Sequence, residues 1–245
     1  MFNQSHRFYR YHHQLRQGLV GFEVRYRETD LWIRAIRTLE DEAMDAVLNC
    51  RHQLQRYIEV HPAFLHSLVP LPDDPFAPPL VSQMMHAARA TSVGPMASVA
   101  GAIAQSVSVS LKPLSPTIIV ENGGDCYMDL EEEITVGIWA GDDSPFSWKV
   151  GLRFTADRFP LSICTSSGTI GHSLSFGKAD AVTVVARDGA LSDAAATALG
   201  NLVKTPADIP KTLEKASSIP GLDGVVIAAR DKMGAWGNVE LVGLQ

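Results

Sequence analysis

From Val20 to Tyr26 apolar and polar residues alternate, with Val20, Phe22, Val24 and Tyr26 set against Gly21, Glu23 and Arg25. A period of two predicts a half-buried strand over Gly18 to Thr29. Glu28-Thr29-Asp30 reads as a turn and Leu31 to Ile36 as a second strand, so the two form a hairpin. The period then changes. Between Leu39 and Val60, the residues Ala43, Val47, Cys50, Leu54 and Ile58 recur at helical spacing, which predicts a long helix with one buried face. Glu40, Asp41 and Glu42 occupy its first turn, where the helix dipole favours negative charge. Pro62 ends it.

Leu68 to Pro79 holds five prolines and is expected to be a stiff loop. Val81 to Ala90 reads as a short helix. Pro95 to Val109 is small and apolar throughout, and predicts a helix able to pack backbone to backbone, with Pro95 in its first turn. Thr117 to Val120 and Asp125 to Leu130 read as strands around a Glu121-Asn122-Gly123-Gly124 turn, because Asn-Gly and Gly-Gly suit positive φ. Glu133 to Ala140 and Trp148 to Phe154 form a further expected hairpin. Strands follow at Leu161 to Thr165 and Ala181 to Arg187, helices at Leu191 to Val203 and Ala207 to Ala216, and closing strands at Asp223 to Ala229 and Gly237 to Leu244. Hairpins alternating with paired helices predict an α+β fold of duplicated ββααββ units, with antiparallel sheets and helices on one face. The expected halves are residues 18–130 and 131–245 of a single domain.

The 245 residues can bury a substantial core, and 46% hydrophobic with 20% charged residues is ordinary globular composition. A net charge of −6 without a basic run argues against nucleic acid as a partner, yet leaves room for a small anion held by backbone N–H groups. Cys50, Cys126 and Cys164 lack metal-ligand spacing and are expected to be buried free thiols rather than reactive ones. The N-terminal residues show no apolar core of a secretory signal, and no apolar run reaches the roughly 20 residues of a membrane span, so the expected location is the cytoplasm. Residues 1–17 are basic, aromatic and His-rich. Adjacent His12 and His13 would point to opposite faces of a strand, so this reads as a flexible or edge segment.

Three stretches could carry chemistry. Thr165-Ser166-Ser167-Gly168-Thr169-Ile170-Gly171-His172-Ser173 follows a strand, and its hydroxyls and mobile backbone could wrap a phosphate. The plain reading is a Ser/Gly loop. In Ser192-Asp193-Ala194-Ala195-Ala196-Thr197, Ser192 suits an N-cap. Asp193 and Thr197 lie one helical turn apart on the same side, where a carboxylate and a hydroxyl could share a hard cation such as Mg²⁺. The alternative is an Asp in the first turn complementing the helix dipole. Glu121-Asn122-Gly123-Gly124-Asp125 is a glycine turn that needs no function to explain it. No G-x-G-x-x-G or P-loop pattern occurs.

In order along the chain, these stretches resemble the motifs of the ApbE-like family of FAD:protein FMN transferases. Gly94-Pro95-Met96-Ala97 corresponds to its Gly/Ala-rich helix start. Val120-Glu121-Asn122-Gly123-Gly124-Asp125 corresponds to V-N-x-G-G-[DN], and Cys164-Thr165-Ser166-Ser167-Gly168 to A-T-S-G. Ser192 to Leu199, the most specific match, corresponds to A-D-A-x-A-T-A-L. The similarity covers roughly residues 90–205 and is greatest to the hypothetical-protein branch of the family rather than to the transferases proper. It implies a T-fold-like arrangement, a flavin (FAD or FMN) or another small phosphate-bearing ligand, and Mg²⁺ held by Asp193, Thr197 and the Ala97 carbonyl. Thr165, Ser166, Ser167, Gly168, Asn122, Gly123 and Gly124 would line the cofactor pocket, with His172 and Asp193 in catalytic roles. Self-association into a homo-oligomer is also open to such a fold, as is a binding or assembly role without transfer chemistry. The sequence departs from the family in two places. The helix-start Lys falls at Ser98, and the H-I-x-[DN]-P-x-T-G segment is replaced by Thr169 to Asp180, with His172 its one imidazole.

Overall fold

A computed structural model describes residues 18–168 and 177–244; His12, His13, Thr169 and His172 lie outside the described residues. The first hairpin joins β1 (Val20–Tyr26) to β2 (Thr29–Ala35). Its turn falls at Arg27-Glu28, one residue earlier than the sequence suggests, because Tyr26 pairs with Thr29 and Arg27 takes the positive φ of 53°. Helices α1 (Glu40–Val60), α2 (Ala63–His66), α3 (Pro79–Thr91) and α4 (Val99–Leu111) follow, with a 3₁₀ turn at Pro95–Ser98 leading into α4. Next come β3 (Ile118–Asn122), β4 (Asp125–Asp129), β5 (Ile134–Gly137), β6 (Val150–Phe154), β7 (Leu161–Ser166) and β8 (Ala181–Ala186). The chain closes with α5 (Gly189–Leu202), α6 (Ile209–Ser217), β9 (Leu222–Ala229), β10 (Lys232–Gly237) and β11 (Glu240–Gly243).

Eight strands form one antiparallel sheet in the order β1-β2-β3-β4-β7-β8-β9-β10. Taken along the chain, β1β2, helices, β3β4 and then β7β8, α5α6, β9β10 give the expected ββααββ arrangement twice. The remaining strands form a separate sheet, β11-β6-β5. This corrects the expected single closing strand over Gly237 to Leu244. Residues 232–237 pair with β9, and residues 240–243 cross over to pair with β6.

All the helices pack on one face of the large sheet, because its strands alternate. Val182, Val184, Val225 and Ile227 face α5 and α6, whereas Ala181, Val185, Val226 and Ala228 face Leu152 and Phe154 of the small sheet. Covering on both faces explains why β8 is apolar at nearly every position rather than at every second one. In β7 the same alternation sends Ser162, Cys164 and Ser166 toward the helices and Ile163 and Thr165 away from them. Among the described residues no helix is long and apolar enough to cross a membrane.

Where α4 meets α5 the small residues are required. A Cβ on Gly101 would collide with the Gly189 carbonyl oxygen and lie 2.9 Å from Asp193 Cβ; one on Gly189 would lie 2.5 Å from the Gly101 oxygen. Ala194, Ala195 and Ala196 are buried beneath the same helix. Replacing Gly101 by Ala overpacks this contact and is expected to destabilise the fold by about 1–3 kcal/mol. Thermal unfolding checks it, at roughly 2–4 °C per kcal/mol for a chain this size. Gly243→Ala, where a Cβ meets nothing within 4 Å, should leave the midpoint unchanged.

Candidate functional site

α5 begins at Gly189, three residues before the Ser192 N-cap expected from sequence. Asp188 is the cap, its carboxylate accepting the Leu191 N–H at 2.8 Å. Asp193 therefore stands in the second turn, and the dipole-complementing reading that needed it in the first turn does not hold. Ser192 is buried inside the helix instead. Its hydroxyl donates to Ser162 Oγ at 2.8 Å, and it lies 3.0 Å from Cys164 Sγ and 3.1 Å from the Gly189 oxygen.

The Asp193 carboxylate reaches across to the start of α4 and accepts the Gly101 N–H at 2.9 Å. Gly101 is the third residue of α4, whose first N–H groups have no partner within the helix. The residue at the N-cap position, Ser98, supplies no cap; it is fully buried and its hydroxyl donates to the Pro95 carbonyl at 2.7 Å. Asp193 is thus a cap supplied from another helix. Burial nevertheless pushes its carboxyl up from the ordinary 3.8 to about 7, while the N–H groups of Gly101 and Ala100 oppose the shift.

A second acid lies beneath it. Asp125, at the start of β4, is 9% exposed and accepts the Thr165 N–H at 3.2 Å. Burial first, then the charge of Asp193, raises its carboxyl well above the usual range, against hydrogen bonds from Cys164 and Thr165. The Cys164 thiol is likewise raised, by burial and by both carboxylates, so it is an inert neutral thiol. All three cysteines are free, Cys50 and Cys164 buried and Cys126 half-buried.

The structure brings the three stretches together. Asn122 Nδ2 donates to the Ala100 carbonyl at 3.1 Å, tying the glycine turn to the start of α4. Gly123 and Gly124 adopt φ of 71° and 103°, and the Gly124 N–H bonds Glu121 Oε1 at 2.8 Å. Ser166 is 5% exposed on the helix-facing side of β7, and its hydroxyl has no partner among the described residues. The Gly168 N–H is taken by the Ala179 carbonyl at 3.0 Å. Thr165 contributes its N–H; its hydroxyl is on the opposite face of the sheet, 2.9 Å from Thr183 Oγ1. Ser167 and Thr197 are half-buried, and Ala97 lies in the 3₁₀ turn that packs against α5. Among the described residues no three His, Cys, Asp or Glu side chains converge on one metal position, so a cation here would have no more than two carboxylates, with hydroxyl and carbonyl oxygens besides.

Gly101 was not singled out by sequence, and Asp125 only as the last residue of a glycine turn, whereas the burial of Cys164 was expected. Asp125 closes the glycine turn and reads as a turn residue. Gly101 is one small residue among many in α4.

An eight-stranded antiparallel sheet with helices on one face defines the class. Its fold is that of the ApbE flavin transferases. The apo form of the flavinyl transferase ApbE from Pseudomonas stutzeri has a TM-score of 0.54 at 14% identity, covering 89% of this chain and 94% of that one. The ApbE protein from Thermotoga maritima has a TM-score of 0.53 at 11% identity, covering 85% and 94%. The family model described as AbpE bacteria matches residues 12–220, and the chain belongs to that family. The UPF0280 protein MJ1526 of Methanocaldococcus jannaschii is 41% identical over 207 residues, 82% of this chain and 84% of its own length. The UPF0280 protein MK0206 of Methanopyrus kandleri is 39% identical over 225 residues, 89% and 91% respectively.

The raised carboxyls set a pH signature for the metal-free protein. A folded acid that keeps its proton to higher pH than the unfolded chain binds more protons between the two pKa values, so stability falls as pH rises through that window. For Asp193 the window runs from 3.8 to about 7, and Asp125 acts in the same sense. In denaturant titrations, the stability of the wild type relative to Asp193→Asn should decline as pH rises through this window and then level off. A difference that is flat or rising across it would contradict the burial of this carboxyl.

Proposed function

We propose that this protein binds a phosphate-bearing nucleotide, with a flavin as the first candidate, together with Mg²⁺ where the start of α4, the end of β7 and α5 meet. The observation that carries the reading is the buried acid pair. Burial pushes Asp193 upward, burial and the charge of Asp193 push Asp125 upward, and the groups opposing this are chiefly neutral N–H and S–H donors. A divalent cation supplies the positive charge that such a pair lacks and, being hard, takes oxygen ligands.

The residues fit that role. Asp193 offers a carboxylate, Thr197 a hydroxyl one turn further along the same side of α5, and Ala97 a backbone carbonyl at the entrance to α4. The buried Ser166 hydroxyl, without a partner among the described residues, is a ready donor for a phosphate oxygen, since a buried polar group left unpaired costs free energy. Ser167, Gly168 and the Asn122-Gly123-Gly124 turn complete the proposed wall. That the Pseudomonas stutzeri protein of like fold is a flavinyl transferase makes a flavin the ligand to try first. Bound Mg²⁺ would neutralise pyrophosphate oxygens and polarise phosphorus toward a nucleophile. The chain's own part is to hold the phosphates with Ser166 and backbone N–H groups and to fix the carboxylate of Asp193. His172 is the proposed acid/base, imidazole being the side-chain type most often used for proton transfer near neutrality.

One observation favours binding without flavin transfer. At the position where the family carries a Lys, Ser98 is buried and engaged with Pro95, so this turn sends no cation into the pocket. Incubation with FAD, Mg²⁺ and a flavinylation acceptor separates the two readings: covalent flavin on the acceptor establishes transfer, and tight binding without it establishes a binding protein.

Calorimetry with FAD and with ADP, with and without Mg²⁺, tests the pocket itself. Binding is expected to need Mg²⁺ and to be lost in Asp193→Ala. Ser166→Ala should weaken it by about 1–3 kcal/mol, the worth of a hydrogen bond to a charged group. Equal affinity of wild type and Asp193→Ala would rule out the metal-phosphate reading.

A further inference from the structure

The contact between α4 and α5 is reciprocal. The Gly101 N–H of α4 donates to Asp193 of α5 at 2.9 Å, and the Gly189 N–H of α5 donates to Gln105 Oε1 of α4 at 2.7 Å. Each side chain sits four residues beyond the glycine of its own helix, so the pairs Gly101/Gln105 and Gly189/Asp193 face each other. Each glycine also has the other's carbonyl where its own Cβ would be. The helices interlock through backbone, and each caps the other's orphan N–H.

We propose that Gln105 is a positioning residue for Asp193, an inference that rests on the reading of Asp193 as a cation ligand. Gln105 does not touch the proposed ligand. It acts through the start of α5: once the Gly189 N–H is held, the rigid helix carries Asp193 to a fixed point one turn on, about 6 Å away. The amide is itself braced. Gln83 of α3 donates from Nε2 to Gln105 Oε1 at 2.7 Å and to Asp188 Oδ2 at 3.2 Å, and Asp188 caps the Leu191 N–H. Three helices are thereby referenced to one another immediately before the carboxylate.

The interlock also separates two duties that Asp193 combines. At its other end a neutral amide is sufficient to cap a helix against a close glycine contact. At Asp193 the same capping is done by a carboxylate, which accepts the Gly101 N–H at 2.9 Å. A neutral amide would serve that cap equally, whereas a cation calls for the carboxylate.

Gln105→Met keeps the volume and removes the acceptor. Mn²⁺ serves as the probe, with free ion followed by electron paramagnetic resonance at a temperature where every variant is folded. Loss of an outer ligand-orienting partner is expected to weaken metal binding by about 10–100-fold. Leu54→Ala, which opens the core under α1 away from the interlock, destabilises the fold without that loss. The second readout needs no metal: hydrogen exchange of the Gly101 amide in the metal-free protein, expected to be faster in Gln105→Met than in wild type while the α1 amides keep their wild-type rates. Wild-type Mn²⁺ affinity in Gln105→Met, or an equal loss in Leu54→Ala, would overturn the proposal. If the wild type holds no Mn²⁺, the cation reading falls separately; an unchanged Gly101 amide in Gln105→Met then removes the positioning role too, and a faster one upholds it.

Discussion

The near-contact of backbone at Gly101 and Gly189 governs the geometry of everything proposed for this protein. Two helices that meet without side chains between them have little freedom to slide, because interiors packed to this density have no slack to absorb a shift. The interface then supplies two N–H donors that cannot be satisfied within their own helices, and the chain answers each with a side chain from the opposite helix. One answer is Gln105, the other Asp193. The candidate ligand is therefore placed by the same contact that holds the two halves of the helical layer together.

The electrostatics follow from that placement. Asp193 is half-buried because α4 covers it, and Asp125 is buried because α4 and α5 together roof the end of β4 and β7. Two carboxyls so close and so poorly hydrated resist ionisation. Fold and charge are in tension here: the carboxylate of Asp193 makes a good helix cap, yet its burial opposes ionisation. Perturbed acids of this kind gather where a protein does chemistry or binds ions. The hydroxyl of Ser166, two residues beyond Cys164 on the same face and without a partner among the described residues, lies at the same end of the sheet.

Much of the fold was legible because local pattern and tertiary environment agree. The α1 helix follows from a regular apolar stripe, and the β3–β4 turn from an Asn-Gly-Gly run that favours positive φ. Strand β10 was not legible. Lys232 to Gly237 is an edge strand, largely solvated, with two glycines and no clean alternation, so its pairing with β9 leaves no periodic trace. The switch of residues 240–243 to a second sheet is a long-range pairing with β6 and has no local signature either. The start of α5 was placed late because Ser192 has cap chemistry, while the true cap, Asp188, stands before a glycine that sequence reads as loop.

For the candidate site, sequence alone determined the ingredients: hydroxyls and glycine after a strand, a carboxylate and a hydroxyl one helical turn apart, a glycine turn with polar flanks, and a family resemblance that the comparisons bear out. Those are properties of short segments, and short segments are where residue type acts directly on backbone conformation. Only the tertiary structure decided that the segments meet, that Asp193 caps a helix nearly a hundred residues earlier in the chain, that Asp125 lies buried beside it, and that the Thr165 hydroxyl turns away while its N–H faces inward. Burial, close approach and charge coupling depend on what lies across the core, and no window of sequence contains both partners.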